Sequence, residues 1–295
     1  MKHAFRFQRI TPQRAASITL VNDILEEYAE EGYKLTLRQI YYQLVARDIV
    51  ENEAREYKRV MKTLEMGRYN GLIDWDMIED RTRVPHLGYY VTSIQDALED
   101  TVRYFKYDRQ EGQTYHMEIW TEKDAVSNIL AKVSSFYHIK LLVNRGYTSS
   151  SAIYKSFREI LAESIAGRPT KILYVGDHDP SGLDMLKDIE RRLTEFGLTS
   201  DFQVVHVALT KKQIDRYKPP ENFAKIRDPR AFLYIAEHGE SSWELDALRP
   251  KVLHKIVDDA VMNYLDSERF NKMVQKEERD KKKLKRMVKK IIEEL

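Results

Sequence analysis

From His116 onward, short apolar runs alternate with helically spaced segments, and this rhythm constrains the fold more than any other feature of the chain. The runs are His116–Thr121, Ile139–Val143, Lys171–Gly176 and Phe202–Ala208. Between them lie helical patterns over Ala125–Phe136, Ser150–Ala162 and Leu183–Phe196. Strands separated by helices cannot pair as hairpins, so they predict βαβ units and a parallel sheet. Such sheets gather their chemistry at the carboxyl ends of the strands.

The N-terminal third has a different pattern. Thr11-Pro12 starts a helix on which Ile18, Val21, Ile24, Leu25 and Tyr28 share a face, and Gly32 stops it. Thr36-Leu37-Arg38-Gln39 reads as a capping box opening a second helix. Asn52 caps a third, with Ala54, Tyr57, Val60, Met61 and Leu64 inward. Gly67 to Arg83 alternates loosely and predicts a small hairpin. Three short helices and a hairpin make a winged helix-turn-helix plan. The expected division is a winged-helix unit over 1–84, a connector over 85–112, a parallel-sheet α/β domain over 113–266, and a basic amphipathic helical tail over 267–295.

Composition closes off several classes. Of the 295 residues, 42% are hydrophobic and 33% charged, and no apolar run is long enough to span a membrane. The absence of cysteine excludes disulfides, thiolate zinc sites and cysteine nucleophiles. With no apolar leader pattern at Met1–Arg14, the expectation is a cytoplasmic protein. The net charge of +2 is unevenly spread: Arg269 to Ile292 carries eleven basic residues against three acidic ones. This tail reads either as a solvated helix face or as a surface for a polyanion.

Two acidic strings follow predicted strands. One is Trp120-Thr121-Glu122-Lys123-Asp124; the other is Val175-Gly176-Asp177-His178-Asp179-Pro180-Ser181-Gly182. Alternation past the strand end would point Asp177 and Asp179 the same way, with His178 opposed as a packing or phosphate-contacting residue. Glu122, Asp177 and Asp179 form an all-oxygen donor set, suited to Mg2+ with Mn2+ as the alternative. Ions of this kind clamp phosphate oxygens. Lys123 reads equally as a phosphate contact or as the partner of a site acid. Arg145, and the row Arg55, Lys58, Arg59, Lys62 and Arg68, are open between phosphate contact and plain surface charge. In Ser241-Ser242-Trp243-Glu244-Leu245-Asp246, Trp243 reads as core, and Glu244 and Asp246 stay outside the expected site.

Glu122-Lys123 and the Asp-x-Asp-Pro-x-Gly string resemble the Toprim domain of the topoisomerase VI A subunit and the related meiotic double-strand-break transesterase. Asn144-Arg145-Gly146-Tyr147 is similar to a Gly-Tyr segment of that family, and the likeness spans most of residues 30–265. The resemblance implies a catalytic tyrosine on a winged-helix domain, the second of an aromatic pair that follows an Arg. Here the matching residues are Arg38, Tyr41 and Tyr42. Helical spacing sends Leu37, Ile40, Tyr41, Leu44 and Val45 to the core and leaves Tyr42 off that stripe, with Arg38 one turn before it. The resemblance further implies a DNA topoisomerase of type IIB A-subunit character. Such an enzyme cleaves double-stranded DNA through a 5′-phosphotyrosyl link as a homodimer, its metal site drawn if need be from a second protomer. The chain holds no ATP-binding signature, so an ATPase B-type subunit would be a separate partner. Two other readings use the same residues: a nuclease that activates water with the metals, and a non-catalytic DNA-binding protein.

Overall fold

The structure is a computed structural model and describes residues 2, 4–5, 7–78, 90–144, 150–223 and 231–294. Four parallel strands form its centre: β1 (His116–Thr121), β2 (Lys140–Val143), β3 (Thr170–Val175) and β4 (Phe202–Ala208). Their spatial order is β2-β1-β3-β4. The chain therefore steps from β1 to one side and then returns past it to add β3 and β4 on the other. The crevice where that direction reverses lies between the carboxyl ends of β1 and β3, where Thr121 is in register with Val175. The anticipated strands and order of elements are present, with boundaries shifted by a residue or two.

Both faces of the sheet are covered, which is why β1 and β3 read as nearly continuous apolar runs. On one face Met117, Ile119, Leu173 and Val175 meet α5 (Ser127–Tyr137) and α10 (Pro250–Met262). On the other, Trp120, Ile172 and Tyr174 meet α6 (Ser150–Ile165) and α7 (Pro180–Glu195). Between β4 and α10, a short helix α8 (Lys211–Tyr217) and helix α9 (Ala231–His238) accompany an antiparallel pair, β5 (Glu221–Phe223) and β6 (Ser241–Trp243).

N-terminal to the sheet, α1 (Pro12–Glu30), α2 (Leu37–Ala46) and α3 (Ala54–Tyr69) pack together. The Thr36–Gln39 capping box is formed in both directions. Asn52 does not cap α3: the cap position is Glu53, and the Asn52 amide instead donates to Glu221 O at 2.9 Å. The hairpin expected over 67–83 is absent from its described part. Helix α3 runs through Gly67 to Tyr69, and residues 70–78 make only isolated bridges, Ala4 with Asn70 and Leu35 with Ile78. Residues 79–83 lie outside the described set. Gly67 belongs inside α3 because a side chain there would press on Ile73, so it is a packing glycine and not a turn.

The connector contains α4 (Ile94–Tyr104), and the chain ends in α11 (Ser267–Glu293), which packs along α4. A single apolar cluster runs from α1–α3 through α5 to α10, so the N-terminal helices are fused to the sheet body by burial. No described helix is long and apolar enough to cross a membrane.

Candidate functional site

Glu122 and Asp177 follow neighbouring parallel strands, so the register that aligns Thr121 with Val175 also brings these acids together. The Asp177 backbone N–H donates to Glu122 Oε1 at 3.4 Å. Asp179 does not continue the strand. It is the N-cap of α7, accepting from Gly182 N at 2.7 Å and from the Ser181 hydroxyl at 2.8 Å. The expectation that alternation alone aims both aspartates is thus corrected: a helix start, with Pro180 at its first position, orients Asp179. Gly182 is required by this geometry. A Cβ there would sit 2.3 Å from Asp177 O and 3.2 Å from Glu122 Oε1.

His178 is buried and pairs its backbone with Trp243 in both directions, at 2.9 and 3.0 Å. Its ring packs on Tyr234, His238 and Trp243, and Nδ1 lies 3.1 Å from Leu209 O. Of the two roles open for it, packing is the one realised.

That same backbone pairing delivers two acids left outside the expected site. Directly after β6, Glu244 and Asp246 turn into the crevice, and the Leu245 N–H donates to Asp177 Oδ1 at 2.7 Å. Their signal was present in the sequence. Two acids one residue apart after a short strand repeat the pattern of Asp177 and Asp179, but only the β6–His178 pairing shows where they go.

Lys123 lies in the middle of this group. Its ammonium donates to Asp177 Oδ1 and Oδ2 at 2.7 and 2.8 Å, contacts Glu244, and lies 3.0 Å from Asp246 Oδ1. Of its two open roles, the acid partner is the one formed. Asp246 is 1% exposed, and neither oxygen takes a directed hydrogen bond. Both are held by charge alone, from Lys123 and from Arg38 Nε at 3.4 Å. Arg38 also donates to Glu244 at 2.7 Å.

The second correction concerns Tyr42, which is 5% exposed and not free. Tyr41 fills the core as expected, its hydroxyl donating to Glu51 O at 3.0 Å. Tyr42 is buried on another face of α2, a helix that packs against the short 3-10 turn Leu245–Ala247, which a helical wheel cannot foresee. Its hydroxyl accepts from Asn222 Nδ2 at 3.5 Å, and the Arg38 guanidinium lies 5.8 Å from its ring centre. Within one chain, Arg38 therefore meets Glu244 and Asp246, with the Tyr42 ring beside it.

The electrostatics follow from burial and crowding. Burial, reinforced by the charge on Asp179, pushes the Glu122 carboxyl up to about 7. Although burial opposes it, the charges on Lys123 and Arg38 hold Glu244 down at about 2. Burial lowers the Lys123 ammonium, but Asp177, Asp246 and Glu244 more than reverse this and keep it charged. Burial and Glu244 raise the Tyr42 hydroxyl, with Asn222 and Arg38 opposing.

No family model, curated protein or solved structure matches this chain. Five carboxylates (Glu122, Asp177, Asp179, Glu244 and Asp246) face two described cations, Lys123 and Arg38. That excess of negative charge in a half-buried crevice favours a further cation, and the donors are all hard oxygens. Among the described residues no three acids or imidazoles form a ready ligand shell. The Lys123 ammonium already sits among Asp177, Glu244 and Asp246. Arg145, Gly146 and Tyr147 lie outside the described residues. On α3, Arg59 pairs with Glu56 and Arg68 stacks on Trp75 at 4.4 Å, so these two basic side chains are already engaged.

Proposed function

We propose that this chain is a metal-dependent DNA-cleaving transesterase of the topoisomerase VI A-subunit type. In this reading the N-terminal helices are a winged-helix-like DNA-binding unit and the sheet body is a Toprim domain. Tyr42 is the nucleophile and Arg38 its neighbour. Glu122, Asp177 and Asp179 are the residues that would hold Mg2+ or Mn2+. The observation that carries the reading is that Arg38 of α2, with the Tyr42 ring beside it, pairs with Glu244 and Asp246, which share Lys123 with Asp177 beyond the end of β3. A binding protein gains nothing from clustered carboxylates beside phosphate, whereas metal-assisted phosphoryl transfer uses such acids to hold its ions.

The step balances as an exchange. The Tyr42 oxygen forms a bond to phosphorus, the bond from phosphorus to the 3′ oxygen breaks, and the phenolic proton is lost while the departing oxygen gains one. A bound divalent ion would supply charge neutralisation at the phosphate oxygens. Arg38 is placed to stabilise the phenolate or the phosphate it attacks. One tyrosine cuts one strand, so a double-strand cut requires a homodimer on double-stranded DNA, with any ATPase B-type subunit as a separate partner.

The test is incubation with supercoiled DNA and Mg2+ or Mn2+, followed by denaturation and detection of protein covalently held at 5′ ends. Tyr42→Phe should abolish the adduct, and adducts that persist in this variant sink the assignment. The burial of Tyr42 and its raised hydroxyl favour a second reading, a nuclease using water. That reading expects cut DNA with free 5′ ends and no dependence on Tyr42. If the wild type neither cuts DNA nor forms adducts, and Asp177→Ala binds DNA as the wild type does, both catalytic readings fall and a DNA-binding role remains.

A further inference from the structure

We infer that the C-terminal half of α11 is a phosphate-backbone contact that holds one strand of duplex DNA along its outer face. The inference rests on the DNA reading above but not on its chemistry.

Helix α11 has two unlike halves. Its first half is anchored to the body. Phe270 packs on Phe136 and Tyr137, and the buried Glu277 accepts from Arg109 at 2.7 Å and from the Tyr107 N–H at 2.9 Å. Here charges alternate in the manner of an ordinary solvated helix, as in Lys272 with Glu268 and Arg269 with Asp266.

The second half departs from this pattern. At about 100° per residue, Arg279, Lys282, Lys283, Arg286, Lys289 and Lys290 fall within an arc of about 120°. The arc lies opposite the stripe of Phe270, Glu277 and Val288 that faces the protein. Lys283 pairs with Asp280 and Lys289 with Glu293, but Lys282, Arg286 and Lys290 make no ion pair among the described residues. All three are exposed and stand four residues apart. Like charges at that spacing repel and weaken an isolated helix. A row of this kind costs the free protein stability and is offset only when an anion lies alongside. Lys282 to Lys290 covers about 12 Å of helix, over which one strand of a parallel duplex offers three to four phosphates. A continuous row of phosphates matches this row of cations, and the chain's excess positive charge is concentrated here, residues 1–268 being net negative.

The test uses the full chain with Lys282, Arg286 and Lys290 all changed to Gln, a residue of similar helix propensity. Affinity for a labelled duplex of about 30 base pairs, long enough to lie along the helix, is measured across a KCl series. Each lost phosphate contact flattens the slope of log K against log salt by about 0.9, so the triple variant should lose about 2.7. Circular dichroism with unchanged helix content excludes unfolding. A second variant, Lys272→Gln on the anchored half, should keep the wild-type slope. A triple variant with wild-type affinity and slope overturns the inference. So does a wild type that binds vesicles of phosphatidylserine but not duplex, or a triple variant that changes oligomeric mass with no change in salt slope. If the slope flattens while wild-type protein forms no adduct, the arm stands and the transesterase reading falls. If the triple variant keeps the wild-type slope and still forms adducts, the arm falls and the transesterase reading stands.

Discussion

Glu122 ends a buried strand at a point where two neighbours repel its charge. The carboxyl is raised from 4.5 to about 7, chiefly by burial. The folded state thus holds a proton that the unfolded chain releases earlier. Below about pH 4.5 the shift has no effect on stability. Between 4.5 and 7 the folded state progressively loses ground, and above 7 the whole cost is present. Glu122→Gln, which keeps the shape and removes the charge, should therefore raise the Tm in chelator at pH 8 and leave it unchanged at pH 4. The expected gain is about 2 kcal/mol, discounted from the full shift because the side chain is partly solvated. Equal Tm values at pH 8 would show that the carboxylate is stabilised by something other than its described neighbours. Lys123 belongs to the same scale. It pairs with three acids at once and holds Glu244 down at about 2 against burial, whereas burial, with the charges on Glu244 and Asp246, still pushes the Asp177 carboxyl up to about 8.

At the scale of elements, the string from Asp177 to Gly182 joins a strand end to a helix start, with four residues between Val175 and Pro180. Pro180 presets the first helical turn, Asp179 caps it, and Gly182 lets the helix approach the Asp177 carbonyl. Gly182→Ala places a methyl group 2.3 Å from that backbone oxygen, so α7 must shift and carry Asp179 with it. A loss of about 1–3 kcal/mol is expected from such overpacking. Denaturant midpoints measure it against Ser181→Ala, which gives up one hydrogen bond worth about 1 kcal/mol. A Gly182→Ala midpoint equal to wild type would mean that α7 is not held against Asp177. The acids were legible because they follow strands in the sequence. The role of Asp179 as a cap was not, because Asp-Pro reads the same whether a strand continues for one more residue or stops.

Across the whole molecule, α2 is tied to the sheet body by Arg38, which reaches Glu244 and Asp246 from more than 200 residues away in the chain. The tie holds Tyr42 down. Arg38→Met should release it, leaving Glu244 and Asp246 to Lys123 alone. Because the Arg38 side chain is 45% exposed, the cost should be about 1–2 kcal/mol and not the full value of a buried pair. Hydrogen exchange reads this directly. The α2 amides should exchange several-fold faster in the variant while α5 amides stay as in wild type. Unchanged α2 exchange would mean that apolar packing alone seats the helix.

The strand-helix alternation, the capping box at Thr36 and the buried stripe of α1 all depend on residues near one another in the chain, and each was readable there. The pairing of Glu122 with Asp177 was half readable: both follow strands, but only the order β2-β1-β3-β4 makes those strands neighbours. Three features were decided by tertiary structure alone. Glu244 and Asp246 enter the site through the backbone pairing of Trp243 with His178. Tyr42 is buried although helical periodicity leaves it off the core stripe, on a helix that packs against a turn some 200 residues away. The segment expected to open a hairpin at Gly67 instead stays helical to Tyr69, with Gly67 packed against Ile73. Local periodicity determines which face of an element is apolar. It carries no information about what else will come to lie on the remaining faces, and at this site that is what sets burial, charge and reach.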